Sequence, residues 1–345
     1  MKKKTIIILV IVIVIAILAV LAFFGLRFYG MMMRSNVTTP GGTEFSLYVP
    51  TGASFEQIKD SLYTHEIIVN KKSFEAVAAS KKCSQNIHPG RYILKNGMSN
   101  KQLCNMLRGG LQTPVKVTFN NMRDVAMLAG RVSEQIEADS LSIVSYLNDS
   151  GHLAELGFTR ETIPAMFLPN TYEFYWNTNA AQFVSKMKKE YDKYWNADRC
   201  DKTKTLGLTP IQVSTLASIV DKETNKTNEM SRIAGVYMNR LKSGWLLQAD
   251  PTLVFAVGDF GLKRVLNVHK EVESPYNTYK YPGLPPGPIC IPSLASINAV
   301  LNTEKHNYYY FCAKDDLSGY HVFAKTLSEH NRNAEKYHRK IKEIR

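Results

Sequence analysis

After Met1-Lys-Lys-Lys4 the chain runs without a charge from Thr5 to Leu26, built almost wholly of Ile, Val, Leu, Ala and Phe. These about 22 residues would rise about 33 Å as a helix, enough to span the hydrocarbon core of a bilayer. A helix satisfies every backbone polar group internally, which lipid demands. Three lysines precede the run and Arg27 follows it. The positive-inside rule then puts the N-terminus in the cytoplasm and the rest of the chain outside. A cleaved signal peptide has a shorter apolar region and a small-x-small cleavage site. This run is longer and ends in bulky Phe23-Phe24. It therefore reads as a retained single-pass anchor, residues 1–27, followed by a short tether over 28–44.

An exported location makes cysteine usage informative. Cys83, Cys104, Cys200, Cys290 and Cys312 show no Cys-x-x-Cys or Cys/His metal spacing, and an odd number leaves at least one thiol unpaired. Cys83 and Cys104 could form a bridge or stay as buried thiols. The net charge of +13 is spread along the chain rather than gathered in one run. No nucleic-acid motif accompanies it, so it reads as a solvated basic surface suited to an anionic wall polymer.

Residues 45–112 read as a small α/β module. Strands are expected at Glu44–Val49 and from Gly90, and helices from Ser54, at Lys72–Ala79 and at Asn100–Leu107. Residues 113–345 read as a larger α+β domain. It opens with a strand at Pro114–Phe119, a helical stretch from Met122 to Leu156 and an aromatic extended segment at Met166–Trp176. A helix at Ala180–Trp195 and a loop at Asp201–Thr209 follow. Turn-rich chain is expected from Gly244 to Pro292, then a helix at Ser293–Leu301, a hairpin over 308–324 and a charged terminal helix.

Between that loop and the turn-rich chain lies the stretch that carries chemistry. Thr209, Pro210 and Gln212 form a helix start with a capping box. Leu216, Ile219 and Val220 then recur at helical spacing, and Glu223 falls on the same apolar face. A carboxyl turned into an apolar wall is harder to ionise, so its pKa should rise into the range a general acid needs. Asp221 falls on a more polar face. Downstream, Gln248, Asp250, Tyr276, Asn277 and Tyr279 stand among Pro/Gly turns, with Gly283-Leu-Pro-Pro-Gly287 close behind. Amides and carboxylates bond sugar hydroxyls and aromatic faces pack on sugar C–H surfaces. The same residues in ordinary turns would bond their own backbone.

Several segments taken together resemble the endolytic murein transglycosylase family, the YceG-like proteins. They are Leu216-Ala-Ser-Ile-Val-Asp-Lys-Glu-Thr224, Ile233-Ala-Gly-Val-Tyr-Met-Asn-Arg-Leu241, Leu247-Gln-Ala-Asp-Pro-Thr252, Tyr276-Asn-Thr-Tyr279, Gly283-Leu-Pro-Pro-Gly287, His321-Val-Phe and His330-Asn331. Gly90-Arg-Tyr-Ile-Leu-Lys-Asn-Gly-Met-Ser99 is similar to the family's LysM-like module, and Leu168-Pro-Asn-Thr-Tyr172 to its Phe-Pro-Asp-Thr-Tyr segment. Three departures stand out. Asp221 replaces the first Glu of a Glu-Lys-Glu, Asn170 removes a carboxylate, and the Pro-Glu-Gly opening is missing around Phe119-Asn-Asn-Met122.

The resemblance implies a single-pass inner-membrane lyase that cuts nascent peptidoglycan strands internally and meets peptidoglycan synthases. Glu223 would be its catalytic acid. Gln248, Asp250, Tyr276, Asn277 and Tyr279 would hold sugar, and His321 is a further candidate for the cleft. No metal or organic cofactor and no nucleic acid is implied. A glycan-binding scaffold without turnover and a muramidase that uses water are the competing classes.

Overall fold

The computed structural model describes residues 2–262 and 264–344. The chain divides into two compact units, Met1–Lys116 with Glu173–Thr178, and Val117–Tyr172 with Asn179–Arg345. The architecture is α+β, and its strands among the described residues make three two-stranded ribbons.

The first unit begins with α1 (Lys2–Met33), whose apolar portion is solvent-exposed and long enough to cross a bilayer. The sequence suggested a tether from residue 28, but the helix continues to Met33. The reason is a packing partner. Met31 and Met32 lie against the core formed by β1 (Phe45–Val49), α2 (Phe55–Thr64), α3 (Lys71–Ser80), β2 (Gly90–Leu94) and α4 (Asn100–Arg108). β1 and β2 pair antiparallel with Leu47 opposite Tyr92, and both side chains face the core. Capping boxes at Ser54/Gln57 and Ser99/Gln102 start α2 and α4. Cys83 and Cys104 are both free and buried.

One buried amide ties the helix to this core. Asn100, fully buried, donates to the Met31 carbonyl at 3.0 Å and to Ser73 Oγ at 2.9 Å. It accepts from Asn36 Nδ2 at 2.7 Å. The Met31 carbonyl is among the last four of α1, which have no intrahelical donor.

The second unit opens in β3 (Val115–Phe119), followed by α5 (Val125–Ser133), α6 (Ser140–Asn148), α7 (Ser150–Leu156), β4 (Asn170–Phe174) and α8 (Ala180–Tyr194). α9 (Ala197–Leu206) occupies much of the expected loop. Its residues carry no apolar stripe, and its ends define it instead. Asn196 caps Arg199 N, and Gly207 ends the helix in the left-handed region.

α10 (Pro210–Glu223) is the axis of this unit. Every residue from Val213 to Asp221 is buried, and α9, α11 (Met230–Lys242), α12 (Asp250–Val257) and α13 (Leu294–Leu301) all pack against it. α12 was read as turn. It is apolar on all sides and so shows no stripe, although Pro251 in its first turn and left-handed Gly258 at its end are ordinary boundary signals. β5 (Tyr310–Ala313) and β6 (His321–Ala324) form an antiparallel hairpin, on which α14 (Leu327–Ile344) packs.

Asn100→Ala should destabilise the first unit by about 2–4 kcal/mol, because a fully buried amide and its three partners lose their bonds at once. Thermal melting of the full chain in detergent would measure this, and a change below about 1 kcal/mol would contradict the amide's linking role.

Candidate active site

Glu223 closes α10, where the capping box at the other end sets the helix register. Thr209 N bonds Gln212 Oε1 at 2.8 Å and Gln212 N bonds Thr209 Oγ1 at 3.2 Å. With Leu216, Ile219 and Val220 fully buried, Glu223 sits at the edge of the apolar packing and keeps partial contact with solvent on one side. That side is a cavity of about 460 Å³, and the protein encloses the carboxyl elsewhere.

The Tyr237 hydroxyl, from α11, donates to Glu223 Oε1 at 2.5 Å. Burial raises the Glu223 pKa from 4.5 to about 7. The Tyr237 bond opposes this, the Asp250 charge adds to it, and Arg240 again opposes it. Burial dominates because the carboxylate loses most of its hydration. Tyr237 is itself fully buried and held well above its usual pKa, chiefly by burial, so it stays a donor.

Arg240 lies one turn beyond Tyr237 on α11 and is only 8% exposed. Its Nε donates to the Tyr309 carbonyl at 2.8 Å and its Nη1 to the Leu247 carbonyl at 2.5 Å. The guanidinium therefore clamps β5 and the 247–250 loop around the cavity. Its charge stays unneutralised by any ion pair among the described residues.

Two buried hydroxyls fix the opposite wall. Thr252 Oγ1 and Thr278 Oγ1 are 2.8 Å apart, and Ala249 N donates to Thr278 Oγ1 at 3.0 Å. These bonds hold Asp250 beside Tyr279, whose hydroxyl donates to Asp250 Oδ1 at 2.5 Å. Gln248 lines the same cavity with φ +48°, a left-handed backbone that non-glycine residues seldom adopt. Its N–H bonds the Thr278 carbonyl at 3.0 Å, which holds that conformation. Farther along, a Cβ on Gly287 would collide with the Glu161 carbonyl, so the Gly283–Gly287 loop needs glycine there for a close backbone approach.

Glu223, Gln248, Asp250 and Tyr279 thus share one cavity. Tyr276 and Asn277 do not line it. Asn277 is fully buried and spends its amide on structure, donating to Lys270 O and Val272 O and accepting from Tyr279 N. Tyr276 packs on Phe255 with ring centroids 4.6 Å apart. Asp221 is also structural, accepting from Asn121 Nδ2 at 2.9 Å and Ser293 Oγ at 2.5 Å. Asn170 is exposed on β4, with its side chain accepting from Thr171 N.

His321 lines the cavity. Glu229 orients it, with Oε2 3.2 Å from Nδ1 and Oε1 accepting the His321 backbone N–H at 2.9 Å. Tyr310, Phe311 and His330 complete the wall. His330 stacks on Tyr310, and burial followed by the Arg240 charge lowers its pKa. Tyr237, Arg240 and His330 were given no role by the sequence reading. The i, i+3 spacing of Tyr237 and Arg240 was a usable sign, since it places both on one face of α11. Among the described residues no three His, Cys, Asp or Glu side chains gather as metal ligands do.

Ionising Glu223 costs more in the folded state than in the unfolded one. Its stability penalty should therefore build between pH 4.5 and about 7 and be complete above that. Glu223→Gln should accordingly raise the melting temperature at pH 8 and change it much less at pH 4.5. Each pKa unit corresponds to about 1.4 kcal/mol. Equal effects at both pH values would contradict the raised pKa.

The YceG-like family profile matches residues 47–336. A Bacillus subtilis protein named endolytic murein transglycosylase is 28% identical over 329 residues, covering 91% of this chain and 90% of that protein. Endolytic murein transglycosylases from two Streptococcus pneumoniae strains are 27% identical over 320 residues, 83% of this chain but 57% of their own length. A solved structure of a putative YceG-like protein from Listeria monocytogenes is 27% identical and matches with a TM-score of 0.57. That match covers 84% of this chain and 98% of the Listeria chain.

Proposed function

Because the chain belongs to the YceG-like family, we propose that it is a membrane-anchored lytic transglycosylase that cuts peptidoglycan strands internally. It cleaves the MurNAc–GlcNAc bond of nascent strands, leaves 1,6-anhydroMurNAc ends, and so terminates elongation. Relatives named endolytic murein transglycosylases support the substrate class. The observation that carries the chemistry is the Glu223 carboxyl, raised to about 7 at the mouth of a cavity with aromatic walls.

In this mechanism Glu223 is protonated near neutral pH and gives its proton to the glycosidic oxygen as the bond to the muramic acid C1 breaks. Tyr237 occupies Oε1, which leaves Oε2 to carry the proton toward substrate. The C6 hydroxyl of the same sugar then attacks C1, and Glu223 takes its proton back. Attack from within one ring carries a large effective concentration, so one carboxyl serves where a hydrolase uses two. Asp250, fixed by Tyr279, supplies negative charge near the oxocarbenium-like state. Gln248 presents an amide to the sugar, and Tyr310 and Phe311 offer faces to its C–H surfaces.

Anchoring through residues 5–26 belongs to the same proposal. Its support is that α1 continues past the apolar run and docks on the first unit through Met31, Met32 and Asn100. A leader destined for removal has no need of such a joint. The N-terminus then lies in the cytoplasm and both units lie outside. Residues 45–112 form the LysM-like module, and peptidoglycan synthases are the expected neighbours.

Mass spectrometry of uncrosslinked strands after incubation with the full chain tests the reaction. Internal fragments with anhydromuramic ends should appear, and Glu223→Gln should reduce them by about 100-fold or more. Reducing ends would instead make water the nucleophile, with Asp250 as its base. Strand binding without fragments would leave a scaffold.

The pH profile gives a second test. Activity should fall as pH rises through about 7, as Glu223 loses its proton. In Tyr237→Phe the opposing hydrogen bond is gone, so this descending limb should move to higher pH while kcat drops. An unmoved limb would remove Tyr237 from control of the acid.

A further inference from the structure

A second cavity, of about 760 Å³, lies wholly within the first unit where α1 leaves its apolar stretch. Phe23 and Leu26 line one part of it, while Arg27, Arg34 and Lys72 line another. All five side chains are exposed, and none of the three cations has a carboxylate partner among the described residues. Arg34 folds back along α1 over Gly30, its Nε 3.6 Å from where a Gly30 Cβ would stand. A Cβ there would only touch the guanidinium, whereas a larger side chain would fill its place in the cavity. Asn70 and Ser73, at the start of α3, complete the polar lining and add the positive end of that helix.

The position of this cavity along α1 decides what it meets. Arg27 is the first charge after the apolar run, and Arg34, just past the end of α1, stands seven residues farther on, about 10 Å along the axis. The headgroup layer extends about 5–7 Å beyond the hydrocarbon on each face. A lipid phosphate in that layer would stand level with the span between the two arginines, and its acyl chains level with Phe23 and Leu26. The Asn100 bond to the Met31 carbonyl fixes the unit to the helix, so the cavity cannot move away from the bilayer surface.

We propose that this cavity binds the phosphate of an anionic phospholipid, held by Arg27, Arg34 and Lys72, and thereby seats the first unit on the membrane. The proposal rests on the retained-anchor reading but not on the glycan chemistry. Lipid retention needs no glycan, so it can fail while strand cleavage stands, and strand cleavage can fail while retention stands.

The test is native mass spectrometry of the full chain in detergent, titrated with phosphatidylglycerol or phosphatidylcholine. Wild type should retain phosphatidylglycerol in preference to phosphatidylcholine. Arg34→Gln/Lys72→Gln should weaken retention roughly twenty-five-fold, about five-fold for each charge removed. Gly30→Leu should weaken it by filling the cavity without changing charge. Lys101→Gln/Lys116→Gln, with the same charge change outside the cavity, should stay within about two-fold of wild type. Unchanged melting would show that the exposed substitutions left the fold intact.

Equal loss in both double variants would reduce the effect to overall charge and overturn the proposal. Equal retention of the two lipids, or full retention in Gly30→Leu, would also overturn it. Displacement by millimolar inorganic phosphate would do the same, by assigning the cavity to free phosphate.

Discussion

The second unit is organised around a carboxyl that is kept from water without being given a counter-ion. Glu223 receives one neutral hydrogen bond, from Tyr237, and the buried length of α10 behind it. An Arg in direct contact would have lowered its pKa. Arg240 is nearby, but its bonds go to the carbonyls of Tyr309 and Leu247 rather than to the carboxylate. The cation thus serves the backbone of the cavity wall, and Asp250 offsets its pull on Glu223. The balance leaves a group that can hold and release a proton near neutrality.

The opposite wall obeys the same economy of polar groups. Three residues of the Tyr276–Tyr279 segment divide its tasks. Asn277 ties its own loop together, Thr278 grips the neighbouring loop, and Tyr279 alone reaches the cavity to hold Asp250. Gln248 keeps an uncommon left-handed backbone beside them. Strain retained where a scaffold over-determines it is a mark of positions shaped for more than stability.

Local rules exposed much of this in the sequence. The capping boxes at Ser54, Ser99 and Thr209 are read within four residues, and the stripe leading to Glu223 within eight. Tyr237 and Arg240 escaped notice because their roles exist only once α11 lies against α10 and the hairpin lies beyond it. Asn277 is hard to place from sequence, because an amide among turn residues looks the same whether it faces a sugar or bonds its own loop, as it does here. α9 and α12 were missed for opposite reasons, one too polar and the other too apolar to show a stripe.

The order in which the cavity is built has a kinetic consequence. Glu223 and Tyr237 come from the α10–α11 pair, but His321, Leu327 and His330 join the same cavity from about a hundred residues later. Contacts so distant in sequence are entropically slow to form. During synthesis, the wall that His321, Leu327 and His330 supply therefore closes after α10 and α11 have been made. A nascent chain would carry the carboxyl before that wall stands beside it. The timing of biosynthesis thus leaves the proposed acid beside an open cavity until the hairpin and α14 have been made.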